Sequence, residues 1–219
     1  ITEVTDERRQ HLAVQKETDY SEQLCHQIGT ALDTGDMSCL QHIVRNAASV
    51  TALQQMSPNS MEENTCDEVN IRDLFLETAN KVSFNKNVQL YFDVRENMRV
   101  LCHKTFLQRM VLNILLYSSK RTRQGFVRIR SFLTHANELV VEISDSSETV
   151  PLKFYKYLFD KYSQHLSEPL YLYKTKQLCR IMNGVVSIDH HYNSKYATDC
   201  VGLKMIVGIP VGRAVVSAL

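Results

Sequence analysis

No charge of either sign is in excess: 25 Lys and Arg stand against 24 Asp and Glu, a net charge of +1. Bulk electrostatics therefore makes no case for nucleic acid or an anionic membrane surface as the partner. No apolar run approaches the roughly 20 residues that a membrane-spanning helix needs, and no segment has the pattern of a signal peptide. The six cysteines, at 25, 39, 66, 102, 179 and 200, include no Cys-x-x-Cys and repeat no spacing. They are expected as reduced thiols of a cytoplasmic protein rather than as a disulfide framework. His190-His191 is the only adjacent histidine pair, and neighbours on a strand point to opposite faces, so no metal site is predicted. What is present is ordinary globular composition: 219 residues, 44% hydrophobic and 22% charged, enough for one compact domain plus a smaller element. The chain opens on Ile1 in mid-pattern, which predicts an excised piece of something larger.

Between residues 6 and 33 proline is absent and Gly29 is the one glycine. This predicts a long helix with Tyr20, Leu24, Ile28 and Leu32 as its apolar stripe. Asp33-Thr-Gly-Asp36 supplies turn chemistry, with Gly35 free to take a positive φ. A second helix follows, with Ser38 as N-cap and Leu40, Ile43, Ala47, Val50 and Gln54 in the alternating steps of a coiled-coil seam. Two helices joined by so short a turn lie antiparallel. A hairpin of this size, residues 6–56, cannot bury both stripes alone, so a dimeric four-helix bundle is expected. Residues 57–68 are polar, break both periods and read as a linker. Beyond it, helices at Ile71–Val82, Phe106–Ser119 and Tyr171–Met182 mix with strands at Val88–Val94, Phe126–Phe132, Glu138–Ser144, Val185–His190 and Gly202–Ile209. His135-Ala-Asn137 is a turn, and Asn183-Gly184 a helix C-cap. The mixed order predicts an α+β layer, helices on one face of a mainly antiparallel sheet.

Within these elements Cys25-His-Gln-Ile-Gly-Thr-Ala-Leu32 resembles the phosphoacceptor box of sensor histidine kinases, commonly Ser-His-Glu-Ile-Arg-Thr-Pro-Leu. Leu112-Asn-Ile-Leu-Leu-Tyr-Ser-Ser-Lys-Arg-Thr122 resembles the family's asparagine box, and Val140–Pro151 the strand and loop carrying Asp-x-Gly-x-Gly. Tyr157-Leu-Phe-Asp-Lys-Tyr162 resembles the phenylalanine box, Leu170–Ile188 the helix and strand after the second glycine box, and Asn193–Pro210 the final hairpin. Ile1-Thr-Glu-Val-Thr5 looks like the exit of an upstream sensory domain of PAS type. In order, these motifs cover about residues 18–212. The resemblance implies three segments: a histidine-bearing dimerisation hairpin over residues 1–56, a linker over 57–66, and an α/β sandwich of histidine-kinase and gyrase ATPase type over 67–213.

The same resemblance shows what is altered. Tyr117 stands where the family's second asparagine helps hold Mg²⁺, and it cannot chelate a hard cation as an amide oxygen does. Asp145 keeps the place of the aspartate that accepts from the adenine amino group, but the following glycines are Ser147 and Thr149. Ser167-Glu-Pro-Leu-Tyr-Leu172 stands in the second glycine box, where backbone N–H groups should wrap phosphates; Pro169 has no N–H to offer. Asn113 and Lys120 remain. These departures imply no resident cofactor; ATP and Mg²⁺ enter only if the altered pocket still binds them. At the hairpin, His26 points roughly opposite Leu24 and Ile28 at 100° per residue. It is the candidate phosphoacceptor, and Gln27 replaces the acid that would take a proton. His42 is the rival. The hairpin between His26 and Leu40 is shorter than the family's by about 14 residues, one heptad per helix, so the core register survives.

The resulting expectation is a degenerate transmitter module of two-component signalling: a homodimer that meets a response-regulator receiver domain, binds no nucleic acid, and passes phosphate through His26 without ATP. The alternatives are an active sensor kinase with an atypical ATP site and a non-catalytic scaffold or inhibitor of a partner kinase. A cytoplasmic location is expected, with the intact protein open to membrane anchoring.

Overall fold

The structure, a computed structural model, describes residues 21–55, 66–148, 150, 152–155, 157–160, 170–192, 202–212 and 215–216. The chain falls into two compact units, Ile1–Ala52 with Asp160–Leu170, and Leu53–Phe159 with Tyr171–Leu219.

In the first unit, helix α1 (described over residues 21–33) is followed after a short turn by α2 (Met37–Gln55). Gly35 takes φ +66°. Around it the Asp36 N–H bonds the Ala31 carbonyl at 2.9 Å and the Gly35 N–H that of Leu32 at 3.1 Å, a Schellman ending that satisfies the last carbonyls of α1. The next helix is capped by Asp36, whose Oδ1 accepts from the Cys39 N–H at 2.9 Å. Ser38 lies inside α2 and is not the cap. The inward stripe also differs from the expected one: Ala31 is buried and Leu32 is 58% exposed. Repeated steps of four advance 400° and drift 40° each time, whereas 24, 28, 31 brings the face back. Ile43 is buried on α2, and Leu40 and Ala47 are half-buried. The side chains of His42, Val50 and Gln54, with residues 6–20, lie outside the described ones.

The second unit is a sheet layered with helices. Strands β1 (Asp67–Asn70), β3 (Met98–Cys102) and β8 (Val215–Val216) form a three-stranded sheet in the order β1-β3-β8. Asp67 and Glu68 therefore belong to a strand, not to the linker. Their polarity hid them: only Val69 of β1 is buried, and its strand conformation comes from pairing with Val100 across the sheet. The larger sheet has five strands, β2 (Val88–Asp93), β4 (Gly125–Leu133), β5 (Glu138–Asp145), β6 (Val185–Ile188) and β7 (Leu203–Pro210), ordered β2-β4-β5-β7-β6. The β2–β4 pair is parallel and the other pairs are antiparallel, as the mainly antiparallel reading expects.

Register aligns one face of this sheet into apolar rows, Ile129–Ile143–Met205–Ile188 and Val141–Val207–Val186. Against it lie α4 (Lys104–Arg121) and α6 (Tyr171–Ile181), with α3 (Ile71–Ala79) packed on α4 and on β1 and β3, and a short α5 (Leu152–Tyr155) between β5 and α6. α4 buries Leu107, Met110, Val111, Ile114 and Leu115, and α6 buries Leu178, Cys179 and Ile181. Each such side chain stabilises the layer by about 1.5–3 kcal/mol through the area it removes from water. At the end of α6 the left-handed position is taken by Asn183 (φ 54°). Gly184 serves a different purpose: a Cβ there would stand 2.5 Å from the Gly208 carbonyl oxygen, so glycine is what lets β6 start beside β7.

Candidate functional site

Alternation along β5 carries a carboxylate into the apolar layer. Leu139, Val141 and Ile143 are buried on the helix-facing side, and two residues on, Asp145 is fully buried at the strand end. Its Oδ1 accepts from the backbone N–H of Ser147 and of Leu203, each at 3.1 Å. These two bonds tie the loop after β5 to the start of β7. Oδ2 is buried and has no partner among the described residues. Gly202, at φ +72°, comes so close that a Cβ would overlap the Asp145 carbonyl oxygen. Next door, Ser146 is buried; its Oγ accepts from the Phe126 N–H at 2.9 Å and donates to the Gln124 carbonyl at 3.1 Å. The strand end is thus held rigidly with one acceptor oxygen left over.

The wall beside it is the C-terminal half of α4. Asn113, Tyr117 and Arg121 recur at a spacing of four and share a half-buried face, with the exposed Lys120 adjoining. Arg121 reaches across to the loop after β5: Nη2 donates to the Glu148 carbonyl at 2.5 Å and lies 3.5 Å from Ser147 Oγ. Its guanidinium stands 5.4 Å from the Tyr117 ring centroid, and the Lys120 ammonium stands 5.5 Å from that of Tyr171 at the start of α6, both within cation–π range. Ser118 Oγ, Thr122 Oγ1 and Arg121 Nε on the same stretch are buried without partners among the described residues. Tyr155 of α5 completes the cluster. Burial pushes its phenol up; Arg121 opposes this, and Asp145 and Asp189 add to it. Burial likewise raises Tyr171 and lowers Lys174.

The sequence-predicted residues Asn113, Lys120 and Asp145 thus all lie in the second unit, the first two on one helix and the third on the strand end that Arg121 reaches. Arg121 and Tyr155 were missed. Arg121 had a signal, its spacing of four from Tyr117; Tyr155 had none, because only the fold brings α5 to this place.

Whether these residues suit an adenine nucleotide with Mg²⁺ divides along the site. The base end suits it, since a buried Oδ2 without a partner is an acceptor for an exocyclic amino group. The end where the sequence resemblance places phosphate and Mg²⁺ carries a phenol, Tyr117, beside the Arg121 guanidinium. Thr149 and residues 161–169, with most of the second glycine box, lie outside the described ones.

His26 and Gln27 belong to the first unit. His26 is exposed on α1, and the Thr30 hydroxyl donates to its backbone carbonyl at 3.0 Å, which leaves the imidazole uninvolved in that bond. Gln27 is half-buried with Oε1 turned inward and unpartnered among the described residues, so the two side chains leave the helix in different directions. Among the described residues no helix is long and apolar enough to cross a membrane.

No protein-family model matches the chain, and no curated protein does either. Solved structures do. Full-length ShkA in complex with AMPPNP superposes with a TM-score of 0.67 at 19% identity, over 84% of this chain and 38% of that one; this chain therefore spans well under half of ShkA. The mycobacterial sensor histidine kinase MprB gives 0.58 at 19% identity over 67% of this chain and 97% of its own. The Acinetobacter baumannii histidine kinase AdeS gives 0.58 at 10% identity over 93% and 98%. With its five-stranded mixed sheet, the helix layer packed on it and these likenesses, the chain has an α+β fold resembling that of histidine-kinase catalytic domains.

Proposed function

We propose that the chain is the transmitter module of a two-component pathway that no longer phosphorylates itself from ATP, and that it exchanges phosphate with a response-regulator receiver domain through His26. The observation that carries this reading is the contact set of Arg121. Its guanidinium is engaged by the Glu148 carbonyl and the Tyr117 ring on the helix where the fold's relatives in sequence pattern place a Mg²⁺-holding amide. Supporting it, His26 is exposed on a helix, and Gln27 offers no carboxylate to act as base. An imidazole nitrogen of His26 attacks an aspartyl phosphate of the regulator: the N–P bond forms, the acyl O–P bond breaks, and the regulator's carboxylate leaves. This needs no base as strong as attack on ATP would. Leu32, Met37 and Val44 are 58%, 59% and 55% exposed on the hairpin. That apolar surface supports a homodimer through the hairpin, in which a second copy covers it.

The test is calorimetric titration of Mg²⁺–ATP into the folded dimer, followed by incubation with a phosphorylated receiver domain. The reading expects no heat from ATP, and acid-labile phosphate on the chain that a His26→Ala variant lacks. Micromolar binding of Mg²⁺–ATP with label appearing at His26 sinks it and favours the active-kinase reading, for which the unpartnered Asp145 Oδ2 is the supporting observation.

A further inference from the structure

Two free cysteines come together where β1 begins. β1 is an edge strand in the order β1-β3-β8 and pairs with β3 through four residues. Asp67 stands opposite Cys102, the last residue of β3, and Cys66 is the residue just before Asp67. Facing Cα atoms of an antiparallel pair stand about 4.5–5.5 Å apart and one step along a strand adds about 3.4 Å across that line, so the Cα atoms of Cys66 and Cys102 lie about 6 Å apart. A disulfide spans about 4.4–6.8 Å between Cα atoms. Cys66 precedes the strand, so the alternation of β1 does not dictate which way its sulfur turns.

The two thiols differ in what they meet. Cys66 is exposed, and Cys102 is buried in the apolar core. Burial pushes the Cys102 thiol up to about 12, and Cys66 and then Asp67 add to that. Coulomb interaction falls with distance, so the sulfur of Cys66 stands nearer to Cys102 than does the carboxylate that faces it. An oxidant in solution therefore meets Cys66, while Cys102 stays a protonated, buried thiol for as long as β1 is paired. That pairing is lightly held: of the four residues of β1 only Val69 is buried. An edge of this kind opens locally at far lower cost than the whole unit unfolds.

We propose that Cys66 and Cys102 are a peroxide-responsive thiol pair, which on oxidation closes into a disulfide that fastens the start of β1 to β3. The Cys66 sulfur attacks a hydroperoxide: the O–O bond breaks, one oxygen stays on sulfur as a sulfenic acid, and water or an alcohol leaves. Opening of β1 then lets the Cys102 sulfur reach that of Cys66. The S–S bond forms, the S–OH bond breaks, and the departing hydroxide leaves with the Cys102 proton as water. The peroxide takes two electrons, one from each sulfur, and a thiol reductant returns them by exchange. The bridge closes the loop that holds β1, α3, β2 and β3, and it stabilises that pairing by restricting the open chain. Whether β1 stays paired thus depends on the peroxide level. The inference is independent of the phosphotransfer reading.

The experiment uses the full chain, reduced and then treated with hydrogen peroxide, its remaining thiols blocked with N-ethylmaleimide before unreduced peptides are mapped by mass spectrometry. We expect a peptide joining Cys66 to Cys102 that dithiothreitol removes, and amide exchange across β1 slowed about tenfold or more in the oxidised chain. Cys66→Ser, at an exposed position, should fold with an unchanged melting temperature and give no such peptide. In Cys102→Ser, dimedone should label Cys66 as sulfenic acid at about tenfold or more the wild-type yield, because no second thiol consumes it. If that variant fails to fold, the wild-type and Cys66→Ser maps decide by themselves. Both thiols left free after peroxide, a bridge from Cys66 to another cysteine or to a second chain, or sulfenic acid that accumulates at Cys66 in the wild type overturns the proposal.

Discussion

Replacing Asp145 separates two roles that one side chain combines. Asp145→Ala removes Oδ1 and strands the buried N–H groups of Ser147 and Leu203. Hydrogen bonds to a carboxylate contribute about 1.5–3 kcal/mol each, and a stranded buried donor costs about 1–3 kcal/mol. Those ranges overlap in what they count, so a loss of about 3–5 kcal/mol is expected rather than their sum. Asp145→Asn differs: its amide oxygen can take both N–H groups, and only the unpartnered Oδ2 is exchanged for an NH₂. That exchange should cost under about 1.5 kcal/mol, because no bond present among the described residues is lost. Urea unfolding of the three proteins, with matching m-values, measures both differences. If Asp145→Asn destabilises as much as Asp145→Ala, then Oδ2 has a partner that holds the fold together, and the reasoning about a spare acceptor is refuted. The Asn variant has a second consequence. It turns an acceptor into a donor, so any amino-bearing ligand the wild type binds at this place should bind at least about tenfold more weakly, the value of one lost hydrogen bond.

Other expectations are simpler to check. Gly202→Ala places a Cβ at φ +72° against the Asp145 carbonyl, and should lower stability by about 2 kcal/mol or more in the same urea assay. Asp36→Ala removes the side-chain acceptor of the Cys39 N–H; it should cost the hairpin about 1 kcal/mol, read as earlier loss of helical circular dichroism on heating. Burial pushes Asp189 up, but the His191 N–H and the Lys204 ammonium outweigh it and hold its carboxyl below the ordinary 3.8. A depressed acid stabilises the fold above 3.8, and that contribution is lost as pH falls through the lower folded value. Urea midpoints of wild type should therefore fall more steeply than those of Asp189→Asn between about pH 4 and pH 2. Parallel curves would show that the Lys204 pairing contributes nothing.

The chain's local signals and its three-dimensional outcome agree where a residue's neighbours in sequence decide its state. Helix periodicity placed α4 and α6, Gly35 placed the turn after α1, and alternation placed the strand over Glu138–Ser144. These features follow from the 3.6 and 2.0 periods and from the φ freedom of glycine, which any stretch of chain carries by itself. The tertiary structure decided the rest. β1, with Asp67 and Glu68 exposed, is a strand because β3 pairs with it. The site itself depends on groups far apart in sequence: Leu203 supplies an N–H to Asp145 from 58 residues on, and Arg121 reaches Glu148 across 27. No local period encodes such a meeting. It arises because packing the helix layer on the sheet fixes which strand end faces which helix end, and only there do the unpartnered Oδ2 and the engaged guanidinium acquire neighbours.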